Sequence, residues 1–136
     1  MGFHSMRVLD VGNCSFDHQS IKQLLTRTFS NVEVHRAHSS IEAEQSIAAH
    51  PFDLILVNRK FDRDGSDGMA WIQALRRASP SIAVALISNY PEYQKQAQEW
   101  GAIPGFGKSE ISDPSLPERL SQAVAQFQAN QTTPKS

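Results

Sequence analysis

The amino-acid sequence predicts an α/β domain in which a five-stranded parallel sheet is covered by helices on both faces. Two apolar runs, at 54–57 and 82–87, have the length and the β-branched content of strands that are buried on both sides. Segments with the apolar spacing of helices alternate with strand-like segments along the chain. This alternation favours a parallel sheet, because each right-handed crossover lays its helix against the sheet.

The first half of the chain is predicted to contain three strands and two helices. The strands are expected at 7–11, 32–37 and 54–58. Asp17 is expected to cap a first helix that runs to about residue 30, and Ser39 with Glu42 forms a capping-box motif for the second. The residues predicted to face the core are Ile21, Leu24, Leu25 and Phe29 in the first helix and Ile41, Ala43, Ile47 and Ala48 in the second.

The second half is predicted to contain three helices and two strands. The helices are expected at 69–78, at 91–100 and from about Ser115, and the strands at 82–87 and 101–106. Their predicted buried residues are Met69, Ile72 and Leu75, then Tyr93, Ala97 and Trp100, then Leu116, Leu120, Val124 and Phe127. The fourth helix has so few apolar residues that we expect it to be loosely held.

Composition excludes several classes of function. The 136 residues carry 13 basic and 14 acidic side chains, a formal net charge of -1, without the basic stripe of a nucleic-acid-binding protein. Cys14 is the only cysteine, which excludes an internal disulfide and a thiolate metal cluster. The five histidines form no helical metal-binding pair, so neither a metal nor a cofactor is predicted.

The ends of the chain lack targeting signals. No run approaches the roughly 20 apolar residues of a membrane span, the first six residues do not resemble a signal peptide, and Met6 stands where a myristoylation signal needs Ser or Thr. We therefore predict a cytoplasmic domain at 7–130, a leader at 1–6 and a flexible tail at 131–136.

Polar residues follow the two most apolar strands. Asn58 ends the run at 54–57 and Ser88 follows the run at 82–87. In open α/β sheets, ligands bind at the carboxyl ends of strands. The site is therefore expected beside Asn58.

These features resemble the receiver domains of bacterial two-component response regulators. The resemblance covers about 7–128 and rests on DLILVN at 53–58, VALIS at 84–88, the Gly101-Ala102 pair and Lys108. It implies a flavodoxin-like (βα)5 fold with strand order 2-1-3-4-5. It also implies a site in which acidic residues bind magnesium, an aspartate accepts a phosphoryl group, and a Ser or Thr and a Lys contact the phosphate.

The family's functional positions are only partly retained. The acidic pair corresponds to Gly12 and Asn13, the phosphoacceptor to Asn58, and the switch aromatic to Gly105, so these functions are lost. The phosphate-contacting positions keep Ser88 and Lys108. The proline that usually follows the lysine is Ser109, so the Lys108-Ser109 bond should be trans, since a cis bond without proline costs about 2.5–4 kcal/mol.

Loss of these groups should abolish the phosphorylation chemistry. Magnesium requires oxygen ligands, usually carboxylates, and an amide such as Asn58 is not a nucleophile toward phosphorus. Lys108 has lost its usual counter-ion, which leaves two interpretations: a carboxylate of the loop containing Asp62, Asp64 and Asp67 replaces it, or the lysine faces water.

Four other features are open to a functional or a structural interpretation. The aspartate loop fails the EF-hand spacing and is better explained as a turn that caps the third helix. AIPGFGKS at 102–109 imitates a phosphate-binding loop, but no helix begins at its Lys-Ser. Cys14 is interpreted as a turn residue. Asp10, within a strand, must be paired, protonated or at the sheet edge, and the sequence does not decide which.

The predicted function is a stand-alone signalling domain that is not phosphorylated and that binds another protein. Its partner would be a histidine kinase, a response regulator, an output protein or a second copy, bound through the fourth helix, fifth strand and fifth helix. The aromatic residues expected on that surface are Tyr93, Trp100 and Phe106. The alternatives are a phosphorelay receiver that uses the loop at 62–67 as a displaced acceptor, and a small-anion-binding flavodoxin-like domain.

Overall fold

The computed structural model describes residues 6–132, in which five strands alternate with five α-helices. The strands are β1 (Met6–Val11), β2 (Val32–Ala37), β3 (Leu54–Asn58), β4 (Ala83–Ile87) and β5 (Ile103–Phe106). The helices are α1 (Ser15–Thr28), α2 (Ser40–Ala49), α3 (Gly68–Ala78), α4 (Pro91–Glu99) and α5 (Leu116–Thr132), and a short 3-10 helix spans Lys108–Glu110.

The strands form one parallel sheet in the order β2-β1-β3-β4-β5. This order confirms the predicted doubly wound, flavodoxin-like architecture. Because β1 pairs with both β2 and β3, the carboxyl ends of β1, β3 and β4 lie side by side at one edge of the sheet. That edge carries Asn58 and the residues that follow Val11 and Ile87.

Each face of the sheet has its own hydrophobic core, because successive strand residues point to opposite faces. Ile55 and Val57 of β3 pack under α2, α3 and α4, whereas Leu54 and Leu56 pack under α1 and α5. The continuous apolar runs of β3 and β4 thus supply both cores, which is why those strands were predictable from composition alone.

The helix starts and burial differ from the predictions in α1 and α2. The N-cap of α1 is Cys14, so Asp17 lies in the first turn and is not the cap. In α2, Ser39 accepts the backbone N–H of Glu42 as predicted, but Ile41 is 67% exposed. Because α2 lies beside β2 at the sheet edge, it has little apolar surface to cover, and Ala43 is its buried residue.

The ends of the domain also differ from the prediction. Met6 belongs to β1 and pairs with Val32, so the predicted leader 1–6 includes a strand residue. Helix α5 continues to Thr132, past the predicted start of the tail. Residues 1–5 and 133–136 lie outside the described residues. No helix within 6–132 is long and apolar enough to cross a membrane.

Candidate functional site

Asn58, Ser88 and Lys108 line one cavity of about 250 Å³ at the carboxyl ends of β3 and β4. Arg59 and Lys60, which follow Asn58 directly, line it as well. The first three residues were predicted from the sequence to share one site, and the two basic ones were not. Their position directly after a strand-ending polar residue was the available signal.

The side-chain amide of Asn58 connects two loops. Its Nδ2 donates to the carbonyl oxygen of Gly12, at 3.1 Å, and to that of Lys60, at 2.5 Å. Gly12 follows β1 and Lys60 follows β3, so the amide holds the two loops together. A carboxylate could not donate either bond and would place its charge beside two carbonyl oxygens.

Gly12 cannot be replaced by an acidic residue without rearrangement. Its φ of +84° lies in the left-handed region that favours glycine, and an added Cβ would lie 2.4 Å from Cδ1 of Phe61. Phe61 itself is 2% exposed and packs edge-to-face against Trp71. The phenylalanine ring therefore takes the space that a carboxylate at position 12 would need.

Asp10 lies at the centre of a buried polar cluster. Its carboxylate is fully buried and accepts from Nδ2 of Asn13 at 2.5 Å. Its other oxygen lies 2.6 Å from Nδ1 of His18 on α1. The question that the sequence left open is thus answered: the Asp10 carboxyl group is paired.

Asn13 is turned away from the Asn58 cavity by this cluster. Its side chain is fully buried against Asp10, and its carbonyl oxygen accepts from Arg36 of β2 at 3.0 Å. Gly12 and Asn13, the residues predicted to stand at the positions of the acidic pair, therefore offer no carboxylate oxygen to the cavity.

The counter-ion of Lys108 is Asp17 and not an aspartate of the loop at 62–67. Its Nζ lies 2.7 Å from Oδ2 of Asp17 on α1, and the Cys14 thiol donates to the same oxygen at 3.4 Å. Burial alone would raise the pKa of Asp17, but the hydrogen bonds from Lys108 and Cys14 outweigh it and lower that pKa below its usual value. Neither predicted arrangement of Lys108 holds fully, because its ammonium pairs with a helix α1 carboxylate in place of a loop carboxylate, and its side chain is 37% exposed to water.

The aspartates of the β3–α3 loop each contact a nearby residue of the protein. Asp62 lies 3.5 Å from Nδ1 of His38, Asp64 accepts from the backbone and hydroxyl of Ser66, and Asp67 caps α3. Hydrogen bonds from Ser66 lower the pKa of Asp64. Within 6–132, no group of three or more His, Cys, Asp or Glu side chains could hold a metal ion.

Gly105, the residue predicted to stand at the switch-aromatic position, has no room for a side chain. A Cβ on Gly105 would lie 2.0 Å from the carbonyl oxygen of Leu86, where the pairing of β4 with β5 is irregular. Gln94 of α4 lies alongside and donates to the carbonyl oxygens of Leu86, at 2.9 Å, and Ser88, at 3.1 Å. An aromatic side chain at position 105 would require this arrangement to move.

The aromatic surface differs from the predicted one. Phe106 is 1% exposed and belongs to the core under α1 and α5, so it is not a surface residue. Tyr93 and Trp100 are partly buried against the opposite core. Tyr90, directly before α4, is 52% exposed and lies edge-to-face with Tyr93. The Lys108-Ser109 bond is trans, as predicted.

Solved structures share the fold of this chain at low sequence identity. NtrX from Brucella abortus is 18% identical with a TM-score of 0.80, over 94% of this chain and 29% of that one. The signal receiver domain of an HD domain-containing protein from Pseudomonas fluorescens Pf-5 is 21% identical with a TM-score of 0.78, over 96% and 95% of the two chains. A CheY-like receiver domain protein from Methanospirillum hungatei JF-1 is 20% identical with a TM-score of 0.69, over 94% and 97%.

No protein-family model matches the sequence, and no curated protein matches it. The structural likeness establishes that this chain has the receiver fold. At these identities it carries no information about which chemistry the fold performs.

Proposed function

We propose that this chain is a two-component signalling domain of receiver type that is not phosphorylated at position 58 and acts by binding another protein. One observation carries the proposal. The residue at the phosphoacceptor position is an amide whose N–H groups hold the carbonyl oxygens of Gly12 and Lys60. Asn58 thus has a structural task in place of a chemical one, and the proposal includes no catalytic residue and no cofactor.

The surroundings of Asn58 support the absence of magnesium chemistry. Gly12 has no side chain to offer, and the Asn13 side chain is directed to Asp10. The cations Arg59 and Lys60 line the cavity that a divalent cation would have to enter. Magnesium binds through carboxylates and water in such sites. The positive side chains of Arg59, Lys60 and Lys108 would instead repel a divalent cation.

Incubation with acetyl phosphate and magnesium tests this proposal. Intact-mass spectrometry should detect no phosphoryl adduct on the wild-type chain. The variant Asn58→Asp should also stay unmodified, because its carboxylate would lack acidic neighbours for magnesium and would face the carbonyl oxygens of Gly12 and Lys60. A stoichiometric adduct on the wild-type chain would contradict the proposal.

The same experiment addresses the displaced-acceptor alternative. Peptide mapping of any adduct to Asp62, Asp64 or Asp67 would establish that alternative in place of the proposed function. Their side chains are engaged with His38, with Ser66 and with the start of α3, and none of these contacts activates a carboxylate as a nucleophile.

The proposed partner surface is formed by α4, β5 and α5, with Tyr90 in place of Phe106. Helix α4 has one buried residue, Ala97, and exposes Pro91, Glu92, Lys95, Gln98 and Glu99. A histidine kinase, a response regulator, an output protein or a second copy are the partner classes that the proposal includes, and the cytoplasm is the compartment. Sedimentation velocity of the wild-type chain and Tyr90→Ala tests the second copy: a dimer that the substitution weakens supports it, and a monomer at every concentration excludes it.

A further inference from the structure

The cavity beside Asn58 has the chemistry of an anion site. It is lined by Arg59, Lys60 and Lys108, and no carboxylate belongs to its lining. Asp17, which pairs with Lys108, lies outside that lining. A cavity of about 250 Å³ is large enough for a small oxyanion and its remaining water, since a water molecule occupies about 30 Å³ in the liquid.

Two of these cations, Arg59 and Lys60, form no ion pair with the residues that the structure describes. Among residues 6–132, no carboxylate lies within ion-pairing distance of the Arg59 guanidinium or the Lys60 ammonium. Neither side chain donates a hydrogen bond to a protein acceptor in that part of the chain. Their N–H groups are therefore available to a ligand.

Arg59 is held in place by aromatic rings. Its guanidinium carbon lies 4.9 Å from the ring centre of Tyr93 and 5.6 Å from that of Tyr90. Cation–π contact restricts the side chain without using its planar donors. A restricted guanidinium loses less conformational entropy when it binds an anion than a free one would.

Two neutral side chains of the cavity can also donate hydrogen bonds to a ligand. The hydroxyl oxygen of Ser88 accepts from the backbone N–H of Tyr90 at 3.1 Å, so its own hydrogen is free. The side-chain oxygen of Asn89 accepts from Ser109, which leaves the Asn89 amide hydrogens for another partner. Once these internal bonds are made, the cavity presents positive charge and unpaired N–H and O–H groups.

We propose that this cavity binds a small oxygen dianion, an inorganic phosphate or a phosphate monoester, without a metal ion and without a covalent bond, and that Arg59 and Lys60 are its principal ligands. The neutral amide at position 58 permits this, because a carboxylate there would repel the dianion. A guanidinium donates two parallel hydrogen bonds to phosphate oxygens, and Lys60 adds a mobile charge. The site goes beyond the protein-binding function proposed above.

A titration of the isotopically labelled full chain with sodium phosphate tests the site. EDTA removes divalent metal, and sodium chloride holds the ionic strength constant. Saturable shifts are expected at the backbone amides of Arg59, Lys60, Ser88, Asn89 and Tyr90. Glycerol phosphate in a parallel titration distinguishes the sources: binding of inorganic phosphate alone identifies a free ion, and tighter binding of the ester identifies an organic phosphate.

Single substitutions distinguish a specific phosphate site from non-specific electrostatic attraction to the protein surface. Lys60→Gln, at an exposed position, should raise the dissociation constant for phosphate by about tenfold, the loss expected for one charge-assisted hydrogen bond. Arg59→Gln should do the same or more, and Lys22→Gln, an exposed lysine of α1, should leave binding unchanged.

Two outcomes would overturn the site. Shifts that rise linearly and equally with phosphate and chloride would show screening only, and a Lys60→Gln variant that binds like the wild type would remove that residue as a ligand. The test is independent of phosphorylation at Asn58, since inorganic phosphate without magnesium does not transfer a phosphoryl group. Failure here leaves the proposed function standing, and an acetyl phosphate adduct would contradict that function alone.

Discussion

Removal of His18 should expose the cost of a buried carboxylate. The Asp10 side chain is fully buried, and its two oxygens have one partner each, Nδ2 of Asn13 and Nδ1 of His18. His18→Leu leaves one oxygen of a buried charge without a partner, a change that costs about 3 kcal/mol or more. We expect the free energy of unfolding to fall by about that amount at pH 7.

The same His18 substitution in an Asp10→Asn variant separates the contribution of the Asp10 charge from that of packing. In Asp10→Asn the charge is gone, so the loss of His18 should cost only a hydrogen bond, about 1 kcal/mol. The expected coupling between the two positions is therefore about 2 kcal/mol, within the range that contacting residues show.

Urea unfolding followed by circular dichroism measures all four free energies of this cycle, provided that the denaturant dependence is the same in each variant. His50→Leu, at an exposed position, is the control and should change stability by less than about 0.5 kcal/mol. A coupling below about 0.5 kcal/mol between positions 10 and 18, the size at which independent sites add, would refute the idea that a charged carboxylate is held by His18.

Two further predictions concern positions around the cavity. Gly105→Ala should lower the free energy of unfolding by about 2 kcal/mol or more, because its Cβ would meet the carbonyl oxygen of Leu86 at 2.0 Å, as overpacking does elsewhere; an unchanged urea midpoint would show that β5 can shift. Asp17→Asn should cost less than about 1 kcal/mol, since its ion pair with Lys108 is partly exposed and screened. Because the folded pKa of Asp17 lies below its unfolded value of 3.8, that difference should be constant at neutral pH and decrease as pH falls from 3.8 through the folded pKa; a difference that grows as the solution is acidified would contradict it.

Prediction from sequence worked where a local pattern determines the environment. The apolar runs of β3 and β4 can be buried only between two layers, and the 3.6-residue spacing of Met69, Ile72 and Leu75 defines one face of α3. The strand-end rule then placed Asn58 and Ser88 at one edge. Ile41 shows the limit, because a spacing cannot reveal that its helix lies at the edge of the sheet.

Partners across the sheet were not predictable in the same way. Asp17 appeared to be a cap for α1, yet it pairs with Lys108, far away in the sequence. Asp10 and His18 are eight positions apart, on a strand and a helix whose crossing angle no local pattern encodes. Local signals identify such polar residues, whereas only the packed fold assigns their contacts.

The contact between Phe61 and Gly12 has a consequence for how this chain could change over time. A carboxylate at position 12 needs a smaller residue at position 61, and truncating a buried phenylalanine to alanine costs about 3–5 kcal/mol, a large part of the 5–15 kcal/mol that holds a typical domain folded. The intermediate would thus lose stability before it gained any metal ligand. In that order, single substitutions would destabilise the hydrophobic core before they supplied a site for phosphoryl chemistry, so the packing of Phe61 itself opposes such a change.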